Sequence, residues 1–201
     1  MCTGCMYEFP LTRFADLTDN FVAELFWGRV PVKYCTSYFY YLKDSKYQNI
    51  IHQLKYNGRQ DIGFEFGKIF GSELMKTSLS SPDIIVPVPL HLKKLRKRGF
   101  NQSEIIARGM ADSMGKKIIT DALERIRYTE SQTNRSRYER WENVEGIFRL
   151  RKPQLLEGKH ILLVDDVVTT GSTLEACASE ILKIQGTTVS VATLAVTRYG
   201  G

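Results

Sequence analysis

The chain has 201 residues, enough for one domain of ordinary size, or one domain with a small appendage, to bury a core without help from disulfides. Its 43% hydrophobic and 25% charged residues exclude a disordered chain, and its longest uncharged run, Ile184 to Thr197, falls short of the about 20 residues a membrane-spanning helix needs. The 28 basic and 22 acidic residues leave a net charge of +6, which suits a partner carrying phosphates, whether nucleotide or nucleic acid.

Met1 to Pro10 has neither a basic leader region nor a long apolar stretch, so a cytoplasmic location is the default expectation. Cys2, Cys5, Cys35 and Cys177 are then reduced thiols or metal ligands rather than a disulfide framework, and Cys177 reads as a small core residue of a helix. Residues 1–33 are weakly periodic, carry an aromatic cluster at Phe21, Phe26 and Trp27, and read as an arm that docks on something else. A second unit is expected to span 34–201. Within it, the spacing predicts a strand over Thr36 to Leu42, a helix over Tyr47 to Tyr56 with Gly58 as its stop, and a helix over Ile62 to Met75.

After Pro82 strands and helices alternate. Ile84 to Val88 predicts a short buried strand, and Asn101 with Glu104 predicts a capping box for a helix ending at Gly115. His160 to Val164 predicts another buried strand, Leu174 to Leu182 the inner stripe of a helix that ends at Gly186, and Val189 to Val196 the next strand. This order implies right-handed parallel crossovers and an α/β fold.

The stretch from Ile161 to Thr173, ILLVDDVVTTGST, carries the chemistry. An apolar strand delivers Asp165 and Asp166 to the carboxyl edge of a parallel sheet, where ligands bind. The loop Val168 to Thr173 then leads into a helix N-terminus, whose unpaired N–H groups attract an anion, while Thr169, Thr170, Ser172 and Thr173 add hydroxyl donors and Gly171 permits close backbone approach. Such a site holds a phosphate in the loop and a diol or hydrated metal on the two aspartates. A Walker B element would look similar, but the upstream phosphate loop it requires is absent: Gly109 to Lys117 has the wrong spacing. An ordinary strand-to-helix turn with surface acids is the bland alternative.

ILLVDDVVTTGST resembles the phosphoribosyl pyrophosphate (PRPP) signature of the type I phosphoribosyltransferases. The run IVPVPLHLKKLRKRGFNQ from Ile85 to Gln102, with Gln132, Thr133, Arg140, Asn143, Gly146 and Phe148, is similar to the ComF family of phosphoribosyltransferase-like proteins, described as amidophosphoribosyltransferases or competence proteins. The resemblance implies a central, mostly parallel sheet flanked by helices, with a small hood from the N-terminal part. It also implies PRPP binding by Val167, Val168, Thr169, Thr170, Gly171, Ser172 and Thr173, with Asp165 and Asp166 on the ribose hydroxyls, directly or through Mg²⁺ and its water. The pyrophosphate would lie at Pro87 to His91, where Val88, Leu90 and His91 retain backbone donors that Pro87 and Pro89 lack. Arg98 and Arg140 join the acids as expected catalytic groups, Arg98 as the exception in a basic run, Lys93 to Arg98, that otherwise reads as a solvated face. Tyr128 to Gly146 resembles the lid that closes over PRPP in related enzymes.

Cys2 and Cys5 have metal-ligand spacing, but a structural zinc needs four ligands. Many ComF proteins carry a module of two such pairs, and Cys2 and Cys5 resemble its second pair, so the arm is expected to be a remnant in which the zinc site is either truncated or lost, with no zinc bound within one chain; two chains, as a homodimer, sharing one through their Cys2 and Cys5 pairs is the remaining arrangement. The activity implied is Mg²⁺-dependent transfer of phosphoribose to an unidentified nitrogen nucleophile with release of pyrophosphate. The alternative is a competence protein that assists uptake of single-stranded DNA through partner proteins, with little or no turnover. Neither reading requires membrane insertion.

Overall fold

The computed structural model describes residues 8–15, 17–42, 45, 47–56, 58–77, 79, 81–127 and 146–197. Its central sheet is built from β1 (Cys35–Tyr40), β2 (Ile84–Pro87), β3 (Lys117–Ile118), β6 (His160–Val168) and β7 (Thr188–Val196). The strand order is β1-β7-β6-β2-β3 and every pairing is parallel. A separate antiparallel pair joins β4 (Leu123–Arg125) to β5 (Phe148–Leu150). The described helices are α1 (Phe21–Glu24), α2 (Gln48–Tyr56), α3 (Gln60–Leu74), α4 (Leu92–Arg98), α5 (Gln102–Met114) and α6 (Ser172–Ile181).

The continuous apolar run of β6 follows from burial on both faces. Ile161 and Leu163 pack with α6 and the arm, whereas Leu162 and Val164 pack with α2, α3 and α5. On the second side, glycines bring helix backbones into contact. A Cβ on Gly67 of α3 would lie 2.2 Å from the Ile106 carbonyl oxygen of α5, and one on Gly109 of α5 would lie 2.1 Å from that of Phe64. Gly63 of α3 makes room for a side chain instead, with Leu54 Cδ1 of α2 2.7 Å from where its Cβ would stand. The three helices therefore pack as one block beside the sheet.

Several expectations are corrected. The arm does not dock elsewhere: Val22, Ala23, Phe26 and Val30 are buried in the chain's own core. Asn101 does cap α5, its Oδ1 accepting from Ser103 N at 3.2 Å, but Glu104 pairs with Arg108 instead of closing a capping box. α6 closes at Ile181, ahead of the expected stop at Gly186.

The largest difference concerns β6, which runs four residues past Val164. Two carboxylates make this extension possible: Asp165 Oδ1 accepts from Asp166 N at 2.9 Å, and Asp166 Oδ1 accepts from Val167 N at 2.7 Å. Side chains thus satisfy strand N–H groups while β7 continues to pair alongside, through Val167 with Ala195 and Val168 with Val196.

Candidate functional site

Asp165 and Asp166 lie near the carboxyl end of β6, and each is gripped from the helix block. The hydroxyl of Ser103, in the first turn of α5, donates to Asp165 Oδ1 at 2.7 Å. Lys55 of α2 places its ammonium 3.0 Å from Asp166 Oδ2, with the two side chains 23% and 13% exposed. Burial and the adjacent Asp166 carboxylate push Asp165 up to about 7, against the opposing pull of the Ser103 hydroxyl, the Asp166 N–H and Lys55.

Beyond the acids, the phosphate-type loop is shorter than the sequence suggests. Val167 and Val168 belong to the strand: the N–H of Val167 is taken by Asp166, and the Val168 side chain is buried. What remains is Thr169, Thr170 and Gly171, opening into α6. Gly171 has φ 77° and serves as the helix N-cap with no side-chain cap on the N–H groups that follow. The Thr170 and Ser172 hydroxyls lie 3.0 Å apart. Asp165 and residues 167–174 line a small cavity of about 50 Å³ at this turn. A wider groove of about 430 Å³ lies beside the arm, lined by Trp27, Arg29, Lys33 and Tyr34 among others, and does not include the acids.

The expected pyrophosphate turn is partly overturned. Val88 N donates to Val164 O at 2.8 Å and its side chain is buried, so its N–H is spent on the sheet and is withheld from a ligand. Leu90 and His91 remain partly exposed at the turn, with His91 Nδ1 capping α4 at Lys93 N. Of the basic run, Lys93, Arg96 and Lys97 are exposed, whereas Lys94 and Arg98 are half-buried one helical turn apart. Arg98 donates to Gln102 Oε1 at 2.9 Å, beside Ser103. Burial, with Arg125, Arg98 and Lys55 nearby, lowers Lys94 from its usual value, which marks an electropositive patch formed from α2, α4 and β4. Arg125 also sits over the Phe148 ring at 5.5 Å.

Lys55, Lys94, Ser103 and Arg125 are site neighbours that sequence reasoning did not single out. Only Lys94 left a signal, its i,i+4 spacing to Arg98. Arg140, Cys2, Cys5 and, of the stretch expected to form a lid, residues 128–145 lie outside the described residues; Leu123 to Arg125 before it pair with Phe148 to Leu150 after it.

Among the described residues no group of three or more His, Cys, Asp or Glu side chains is placed to hold a metal. The acid pair offers hard carboxylate oxygens of the kind Mg²⁺ takes when it arrives with substrate phosphates, so the donor set fits a shared ion rather than a protein cage. No described helix is long and apolar enough to cross a membrane.

A family model described as phosphoribosyl transferase domain matches residues 95–200. The DNA utilization protein YhgH of Salmonella typhimurium is 36% identical over 146 residues, which make up 71% of this chain and 63% of that protein. Competence protein ComFC of Bacillus subtilis is 28% identical over 158 residues, 79% of this chain and 62% of that protein. The chain therefore spans somewhat under two thirds of these relatives. Among solved structures, the glutamine PRPP amidotransferase of B. subtilis aligns over 70% of this chain and 30% of its own, at 21% identity and a TM-score of 0.47.

Proposed function

The chain belongs to the phosphoribosyl transferase domain family, as a ComF-type member, and from that membership we propose that it serves DNA uptake or use in the cytoplasm as a protein that binds a ribose phosphate. One observation carries the reading: an acid pair on β6 is followed, five residues after Asp166, by Gly171, the N-cap of α6, whose N-terminus carries no side-chain cap. The turn offers N–H groups and hydroxyls to a 5′-phosphate, and the carboxylates accept from the ribose hydroxyls. PRPP is the ligand of this kind that the electropositive patch of Lys94, Arg98 and Arg125 supports, since such a patch would neutralise its diphosphate. Single-stranded DNA and partner proteins would then engage other surfaces.

Titration calorimetry with PRPP and Mg²⁺ tests this directly. Binding that is lost in Asp165→Ala is expected; no binding by the parent chain overturns the reading. An oligonucleotide bound in a salt-dependent way would support the DNA role, and competition by PRPP would link the two sites.

A second reading, transfer of phosphoribose to a nitrogen acceptor, is favoured by Asp165 itself. Burial and the neighbouring Asp166 push it up to about 7 and the Ser103 hydroxyl fixes its Oδ1, so it would hold a ribose hydroxyl while C1′ reacts. Ser103 and Lys55 would fix the acids, and the cationic patch would offset charge on the departing diphosphate. Magnesium, when bound, would supply further neutralisation of the diphosphate oxygens. Pyrophosphate release with ammonia or a panel of bases distinguishes an enzyme from a binding protein.

A further inference from the structure

We propose that Arg29, in the arm before the first sheet strand, is a positioning residue for the phosphate-binding turn; this rests on the ribose phosphate reading above. Its guanidinium makes three contacts that tie separate elements together. Nη1 donates to Leu25 O at 2.7 Å and to Thr170 O at 3.0 Å, and Nη2 pairs with Glu175 Oε2. Arg29 and Glu175 are only 20% and 18% exposed, so the pair is screened less than a surface one.

Two consequences follow from elementary geometry and electrostatics. A trans peptide points its C=O and N–H in opposite directions, and no cis peptide occurs among the described residues. By anchoring the Thr170 carbonyl toward the arm, Arg29 aims the N–H of the same peptide, that of Gly171, the other way. Gly171 lines the small cavity at the turn and Arg29 does not, so the proposal is that this N–H faces the cavity. Secondly, Glu175 lies in the first turn of α6, where a carboxylate competes with an incoming phosphate for the same positive helix end. The guanidinium cancels that charge without occupying the phosphate position. Phe26 and Leu25 complete the brace, with Phe26 Cε1 3.3 Å and Leu25 Cβ 3.4 Å from where a Cβ on Gly171 would stand.

The test is calorimetry with ribose 5-phosphate, without diphosphate or metal, on the full chain. Arg29→Ala should weaken binding by about tenfold, and Arg29→Lys, which keeps the charge but not the planar fork, should recover part of it. In Arg29→Ala/Glu175→Gln the competing carboxylate is gone while the carbonyl stays unanchored, so binding should be regained only in part. Amide exchange at Gly171, read by NMR without ligand, should be faster in Arg29→Lys than in the parent. If the parent chain binds no ribose 5-phosphate, the ribose phosphate reading fails. If the parent binds and the folded Arg29 variants bind equally well with unchanged Gly171 exchange, Arg29 has no positioning role. Should Arg29→Ala not fold, Arg29→Lys alone decides between these outcomes.

Discussion

The Ser103 hydroxyl donates to Asp165 Oδ1 at 2.7 Å, across 62 residues of sequence, and so joins the capped start of α5 to the acid pair on β6. A hydrogen bond to a charged acceptor contributes more than a neutral one, about 1.5–3 kcal/mol when well shielded. Ser103→Ala is expected to cost about 1–2 kcal/mol at pH 8, where Asp165 is ionised, and less at pH 5. Urea unfolding at the two pH values measures the difference, and an equal cost at both contradicts the assigned role of the carboxylate.

Asp165 also gives the fold a pH dependence of definite sign. Its folded value, up to about 7, stands above its ordinary 3.8, so the folded chain holds a proton that the unfolded chain has already released. The contribution of this group to stability is therefore complete below about pH 4 and is lost as the pH rises towards and through 7. Asp165→Asn removes it, so the variant should gain on the parent steadily between pH 4.5 and 7.5. Parallel melting curves across that range would show that Asp165 titrates normally.

Gly171 is expected to tolerate no side chain. Its φ of 77° lies in the left-handed region, and an added methyl would press on Phe26 and Leu25. Gly171→Ala should lower stability by about 1–2 kcal/mol and weaken ribose 5-phosphate binding by more than that loss explains, because the turn is displaced. Calorimetry on the folded variant at 10 °C separates the two effects; unchanged affinity would place the phosphate elsewhere.

Gly109 offers a test of packing away from the ligand. Here the obstacle is backbone, the Phe64 carbonyl oxygen 2.1 Å from a Cβ, which cannot rotate aside. Gly109→Ala should destabilise by about 3 kcal/mol, at the upper end for overpacking, as read from the shift in denaturation midpoint. A loss under about 0.5 kcal/mol would mean that α3 and α5 are free to separate.

Much of the site was legible because its motif is local. An apolar strand, two acids, a hydroxyl-rich turn and a helix follow one another within thirteen residues, and Asn101 declared the start of α5 in the same way. The parts that escaped depend on sheet order. Lys55 reaches Asp166 only because α2 and β6 meet in space, and Val88 loses its N–H to Val164 only because β2 lies beside β6. The end of β6 is hidden in the sequence for another reason: turn-forming aspartates normally divert the backbone, yet here they supply acceptors that keep it extended.

Glycine contacts join the backbones of α3 and α5, and Gly63 of α3 receives Leu54 of α2, so the hydroxyl on Asp165 and the ammonium on Asp166 both come from one layer of helices. Gly67 abuts Ile106, one helical turn from Ser103, so a side chain there would press on the start of α5 that holds Asp165. The setting of Asp165 thus depends on residues of the outer layer as well as on its own strand.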